Sequence, residues 1–423
     1  MIDPEGQKTI AYGQIITTAC FSIQAIGVGI YISYGVFFNP LMDEFGWSRA
    51  AISGASSAAF FVMGLFGILI GRLNDKFGPR IWMSIAAIFF GLGFGLMSQV
   101  NTLLQLYLVF GLVFGLGLSS VDVLSLSTIA RWFALKRGKM TGIVKVGTGA
   151  GQFAFPILAS FLISNYGWKN AFISMGCFSL ILLLLIAQFL RRDPESMNHS
   201  SVSTQRERPE SQNQGFDFSR ALKTPELWLI CMINLFVVFC LMSIMLHIVP
   251  YGRDIGISSY RAAGVLSAIG AVSMVGRYIS GLAIDRIGCK QIMGICFGLL
   301  FVSLLWLAKA DTLWKLYGFA CIYGLAHGGF FTAISPIMVE LFGIRAHGSL
   351  FGLVVFFGTT GGALGPLLTG YLFDITHSYT IAFWAIVAIT CTSSGLLLWL
   401  TVRSRGYQVD GCNAARNLRN LSK

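Results

Sequence analysis

The chain has 423 residues, 55% hydrophobic and 11% charged, with nine cysteines and a formal net charge of +12. A charged fraction less than half the quarter usual for soluble domains excludes an ordinary water-soluble globule, and the apolar stretches lack the alternating ten-residue strands of a membrane β-barrel. Without an HExxH, a GxSxG or a glycine-rich phosphate loop ending in Lys-Ser or Lys-Thr, the chain offers no enzyme signature and no nucleotide-driven pump.

Runs of about twenty apolar residues, long enough to cross roughly 30 Å of hydrocarbon as α-helix, fall near 12–38, 50–70, 81–98, 103–129, 140–164 and 168–191. They recur near 226–251, 261–281, 291–308, 312–336, 349–371 and 379–402. The fold class is therefore an all-α integral membrane protein of twelve transmembrane helices in two six-helix repeats. Residues 1–191 make the first half, 192–225 a polar linker, 226–402 the second half and 403–423 a basic tail. The first run is too long for a signal peptide and lacks a small-residue cleavage pattern, so it is read as helix 1.

The connection after helix 2 reads GRLNDKFGPR (71–80) and the one after helix 8 reads GLAIDRIGCK (281–290), one pattern at an offset of 210. The same offset pairs Gly46 with Gly256, Tyr107 with Tyr317, Gly138 with Gly348, Gly142 with Gly352, Gly151 with Gly361 and Pro156 with Pro366, which marks a duplication. Gly71 and Gly281 permit close backbone packing, Asp75 and Asp285 accept bonds from neighbouring donors, and Gly78 and Gly288 complete the motif.

Ionisable residues inside membrane helices are costly, and a functional role is the default for each. Three occur: Asp122 in helix 4, Lys145 in helix 5 and Arg277 in helix 8. Asp122 and Lys145 each lie about seven positions from the loop 130–139, so at about 1.5 Å per residue they share a depth and can pair. Two readings stay open. Either each charge offsets the burial of the other, or Asp122 takes up a proton and frees Lys145 to attract a carboxylate. The offset partners of these residues are Thr332, Val355 and Gly67, so the repeats differ where charge lies.

Segment 192–225 has the composition of a flexible linker with a short amphipathic turn from Phe216 to Lys223. The cysteines show no CxxC spacing and no partner histidine cluster, so neither a metal site nor a disulfide framework nor any cofactor is expected. Of the 30 Lys and Arg, 22 sit on the termini and even-numbered connections. That side is the cytoplasm, with both termini inside, and the net charge reports topology rather than a nucleic-acid surface. The tail carries Arg403, Arg405, Arg416 and Arg419, attracted at most to anionic headgroups.

Two six-helix halves with GxxxD[KR]xGx[RK] after helices 2 and 8 resemble the major facilitator superfamily over nearly the whole chain. Four segments resemble more narrowly the monocarboxylate porters and their oxalate/formate antiporter relatives. They are YGVFFNPLMDEFGWSRAAIS at the end of helix 1, RWFALKRGKMTGI entering helix 5 with the FP and YGW that follow, and HIVPYGRDIGIS after helix 7. The resemblance implies a secondary transporter of small carboxylates, lactate- or pyruvate-like, working with a proton by alternating access, as a monomer in the cell (inner) membrane. Exchange of dicarboxylates or oxalate and formate is the alternative, and a non-transporting sensor on the same fold a more distant one.

The resemblance also implies site residues. Arg277 in SMVGRYISGLAIDRIG matches the substrate arginine, whose planar fork suits a carboxylate; snorkelling toward the loop at Gly281 is the competing reading. Where eukaryotic-type porters place an aspartate one turn earlier, this chain has Ser273, and their helix 1 lysine aligns with Ile32. The proton-coupling candidate is therefore Asp122, ahead of His247 and His327. Residues 349–371 lack the exchanger's second cation, a charge that Lys145 could supply. His327, in YGLAHGGFF, stands where similar porters carry Tyr, and is either a donor to the carboxylate or a histidine satisfied by a neighbour. Tyr34, Tyr31 and Gln152 are cavity candidates, His247 caps or packs near the end of helix 7, and Phe330 and Phe331 either shield the site from water or belong to the core.

Overall fold

A computed structural model describes residues 4–47, 49–194, 215–257 and 259–404. Most of the predicted linker, and Arg405, Arg416 and Arg419 of the tail, lie outside the described residues. Long apolar helices dominate: α1 (Pro4–Ser33), α2 (Arg49–Phe77), α3 (Pro79–Gly95) and α4 (Leu103–Trp132) are followed by one helical stretch, Arg137–Ala187. At about 1.5 Å per residue that stretch would far exceed a bilayer, and it is broken at Gly167 (φ 78°, ψ 160°). It is two helices, α5 (137–166) and α6 (168–187). The second series comprises α7 (Pro225–Asp254), α8 (Ser259–Ile287), α9 (Cys289–Leu307), α10 (Leu313–Phe342), α11 (His347–Thr376) and α12 (Thr380–Arg403). Eleven candidate spans, one of them double, thus give the twelve expected crossings among the described residues.

The duplication is written in the backbone as well. Gly46 and Gly256 have φ of 66° and 84°, and Gly78 and Gly288, the residues before α3 and α9, have φ of 84° and 96°. The offset partner of Gly167 is His377, a non-glycine residue that adopts φ 50°, so the turn persists where the residue that favours it does not.

Among the described residues the chain divides into two compact units. The first lies within Met1–Ala134, Ile143–Asn213 and Ile344–Leu353, and the second within Leu135–Gly142, Gln214–Gly343 and Val354–Lys423. The first is packed around Phe37, Phe94, Phe110, Phe114 and Phe172, with Phe37 and Phe172 stacked at 3.8 Å between ring centroids. In the second, the end of the predicted linker forms a short helix, Phe218–Ala221, anchored by a bridge between Gly215 and Gly343 and by Phe216 N–H donating to Phe342 O at 2.8 Å. Side chains such as Leu104, Phe153 and Leu367 remain exposed, as expected of a surface bathed in lipid.

Candidate functional site

The duplicated loops bind helix starts. In the first unit, Asp75 accepts from the backbone N–H of Gly348 at 3.0 Å and of Ser349 at 2.8 Å, and from the Ser349 hydroxyl at 2.8 Å. Arg131 donates to the same carboxylate at 2.6 Å. In the second unit, Asp285 accepts from the N–H of Gly138 at 2.8 Å and of Lys139 at 2.9 Å. These N–H groups belong to the first turns of α11 and α5, which have no intrahelical acceptor and carry the positive end of the helix dipole. A Cβ on Gly71 would meet Gly348 O at 2.0 Å, and one on Gly281 would meet Gly138 O at 2.7 Å. The glycine and the acid therefore act together, since the carboxylate reaches the helix start only where the backbones nearly touch.

Within the first unit, Lys145 on α5 and Asp122 on α4 form an ion pair with Nζ to Oδ1 of 2.5 Å. The lysine side chain is 6% exposed and that of Asp122 29%, so the carboxylate is the accessible partner. A residue that composition did not single out completes the cluster: Gln24, on α1 and fully buried. Its Nε2 donates to Asp122 Oδ1 and to Ser125 Oγ, each at 2.8 Å, and to Val121 O at 3.2 Å. Its Oε1 accepts from Thr148 Oγ1 at 2.8 Å and from Lys145 Nζ at 3.4 Å. The Ser125 hydroxyl donates back to Val121 O. Gln24 was legible in principle as a carboxamide inside an apolar helix, but nothing in its flanking residues names its partners.

Within the second unit, Arg277 on α8 is 3% exposed. Gly328 on α10 brings the two helices together there, because a Cβ at that position would lie 2.1 Å from Ser273 O and 2.9 Å from Arg277 N. The Ser273 hydroxyl turns back to Gly270 O at 2.8 Å. His327 is 4% exposed and directly precedes Gly328, the residue that packs on the Arg277 backbone. Its ring lies 5.1 Å from that of Phe331 and 6.0 Å from that of Tyr323. Neither ring nitrogen has a hydrogen-bond partner among the described residues. A buried imidazole in that state is uncommon, since buried polar atoms are nearly always satisfied.

Two other candidates sit apart. Tyr34 is 1% exposed, its ring stacked 3.9 Å from that of Phe110 and its hydroxyl donating to Ile52 O at 3.1 Å. Its proton is already used within the first unit's packing. His247 lies 3.0 Å from both Tyr379 Oη and Pro366 O. A carbonyl only accepts, so Nε2 carries the proton and Nδ1 accepts from the tyrosine; this histidine joins α7, α11 and the start of α12.

The residues thus fall into two chemical groups. One is a buried guanidinium on α8 and, on the α10 turn packed against it, an imidazole whose ring nitrogens have no partner among the described residues. The other is an ammonium–carboxylate pair, accessible on its acidic side and steadied by an amide.

Comparison with known proteins gives three concordant results. The family profile described as Major Facilitator Superfamily matches residues 17–288 and 274–411. Monocarboxylate transporter 13 of Bos taurus is 29% identical over 396 residues, which cover 92% of this chain and 89% of that protein. Monocarboxylate transporter 11 of Homo sapiens is 25% identical over 402 residues, covering 90% and 81%. Among solved structures, the proton:xylose symporter XylE superposes with a TM-score of 0.74 at 15% identity, covering 96% of this chain and 99% of that one. The human organic anion transporter MFSD10 superposes with a TM-score of 0.73 at 14% identity, covering 91% and 99%. At such identities the two structures speak to the fold.

Proposed function

Because this chain belongs to the Major Facilitator Superfamily, a family of secondary transporters, we propose that its cargo is a small carboxylate of lactate or pyruvate type, moved together with a proton. The observation that carries the reading is the buried Arg277 together with His327, which precedes the Gly328 packed on the Arg277 backbone and whose two ring nitrogens lack partners among the described residues. A guanidinium binds a carboxylate through two parallel hydrogen bonds, and the imidazole can donate to, or accept from, a hydroxyl or keto oxygen on the adjacent carbon.

Asp122 takes up the accompanying proton, and its exposure relative to Lys145 supports that assignment. Proton uptake removes the anion that neutralises Lys145, so the ammonium then favours entry of a negatively charged cargo. Alternate exposure of the Arg277 group to the two sides of the membrane completes the cycle. The concentration of Lys and Arg on the even-numbered connections supports cytoplasmic termini in a cell membrane, and no second copy is needed to assemble either residue group.

Exchange of a dicarboxylate is the second reading, favoured by a second buried cation, Lys145. The 2.5 Å contact with Asp122 weighs against it, because Lys145 is already neutralised while Asp122 is ionised. The deciding experiment is uptake into proteoliposomes of radiolabelled L-lactate, pyruvate, oxalate and succinate, with an inwardly directed proton gradient. Arg277→Ala should abolish uptake while the protein remains folded and inserted; uptake at the wild-type rate would remove Arg277 from the site.

A further inference from the structure

Gln24 contributes more than burial satisfaction to the first unit. Both ends of its carboxamide are committed to the charge pair, with Nε2 on Asp122 and Oε1 facing Lys145. The orientation is imposed from outside the pair: Val121 O can only accept, so the amide nitrogen faces α4, and Thr148 Oγ1 donates to the oxygen from α5.

The other repeat supplies an internal control. At the offset of 210, Gln24 corresponds to Asn234, another buried carboxamide on the first helix of its repeat. Asn234 Nδ2 donates to Val354 O at 2.6 Å and lies against Gly358. The positions of Lys145 and Thr148 are taken there by Val355 and Gly358. One repeat therefore uses the carboxamide to grip backbone, while the other lengthens it by a methylene and turns it on a carboxylate and an ammonium.

We propose that Gln24 is the positioning residue of the proton-coupling pair: it donates to ionised Asp122, and it offers Lys145 an acceptor once Asp122 has become neutral. The proposal rests on the reading that Asp122 carries the proton. The step balances simply. A hydronium ion gives up one O–H bond and leaves as water while its proton forms one O–H bond on the Asp122 carboxylate, and Lys145 keeps its three N–H bonds and its charge, facing the carboxamide oxygen of Gln24.

Around Asp122, α4 is packed by α1 through Gly27 against Val121, by α2 through Gly67 against Val123, and by α3 through Phe90 against Gly117. The charged group facing Asp122 comes from α5 and is Lys145. Other titratable side chains on these elements include Tyr12, Cys20 and Tyr31 on α1, Arg72, Asp75 and Lys76 on α2, Arg80 on α3, Tyr107 and Arg131 on α4, and Arg137, Lys139 and Tyr166 on α5; Asp75 is bonded to Arg131 and Arg80 to Gln188.

The test uses full-length protein in lipid nanodiscs, with infrared titration of the protonated-carboxyl band and Asp122→Asn to assign it. A hydrogen bond to the ionised form holds a proton off, so Gln24→Leu should move the midpoint of that band toward alkaline pH by about one unit. Thr148→Val, which leaves all three central side chains in place, should move it the same way by less. An unmoved midpoint in both variants, at wild-type melting temperature, overturns the proposal. Should Gln24→Leu fail to fold, Thr148→Val decides alone. Failure of the coupling reading shows separately, as gradient-driven L-lactate uptake that survives Asp122→Asn, because the infrared band still reports whether Gln24 acts on the carboxylate.

Discussion

Asp122 Oδ1 lies 2.5 Å from Lys145 Nζ, an acidic partner 29% exposed against a basic partner 6% exposed. This asymmetry separates two outcomes that a charge pair of equal burial would leave tied. Lys145 loses most if left alone, because a buried ammonium without its anion carries the full cost of desolvation.

Asp122→Asn should therefore lower the thermal stability by roughly 3 kcal/mol, somewhat less than for a fully buried pair because water reaches the carboxylate. Asp122→Asn combined with Lys145→Met should recover most of that loss. Denaturation in detergent measures both, and a double variant no more stable than the single one would show that the pair matters through shape rather than charge.

On the proposed coupling, the same carboxylate carries the proton. Wild-type uptake should then rise as the external medium is acidified, whereas Asp122→Asn should show uptake independent of the proton gradient. Parallel pH profiles for both proteins would exclude Asp122 as the proton carrier.

Arg277→Lys keeps the charge and loses the planar fork, so the cargo should bind about 100-fold more weakly, in keeping with the roughly 2–5 kcal/mol attached to a buried charged partner. His327→Phe should leave carboxylate binding in place and selectively weaken cargoes that bear a hydroxyl or keto group beside the carboxylate. Competition by acetate, lactate and pyruvate distinguishes the two, and equal loss for all three would remove the imidazole from cargo recognition.

Gly328→Val should be more damaging than its size suggests. Its Cβ would fall 2.1 Å from Ser273 O, a backbone atom that cannot turn aside, so α8 and α10 must separate next to Arg277. Overpacking of this kind costs about 1–3 kcal/mol. The expected signature is a lowered melting temperature with a raised KM, read by thermal shift and initial-rate uptake.

Asp75→Ala removes a carboxylate that holds Arg131 and the first turn of α11, and Asp285→Ala one that holds the first turn of α5. Each loss of a helix-start acceptor should cost about 1–2 kcal/mol, with a larger penalty at Asp75 because Arg131 loses a buried counter-charge. Asp75→Asn, which retains an oxygen acceptor, should fall between wild type and Asp75→Ala in the same melting assay.

Much of the architecture was legible in the chain before any coordinates, because length and hydropathy are local properties. Twenty apolar residues span a bilayer wherever they occur, and an offset of 210 carries the turn geometry of Gly78 to Gly288, and even of Gly167 to His377. The pairing of Asp122 with Lys145 was also within reach, since the residues lie 23 positions apart across one short loop. Gln24 was not, because its contacts with Asp122, Lys145 and Thr148 span 98, 121 and 124 residues and depend on how α1 is rotated against α4 and α5. The fates of two candidate side chains were likewise decided in three dimensions. Burial and stacking commit the Tyr34 hydroxyl to Ile52, while His327, among the rings of Tyr323 and Phe331, is left without a hydrogen-bond partner among the described residues. Sequence by itself determined which segments enter the membrane and which charged groups enter with them. Tertiary structure decided which of those groups meet, since a hydrogen bond requires particular atoms about 3 Å apart, a condition that no local pattern of residues contains.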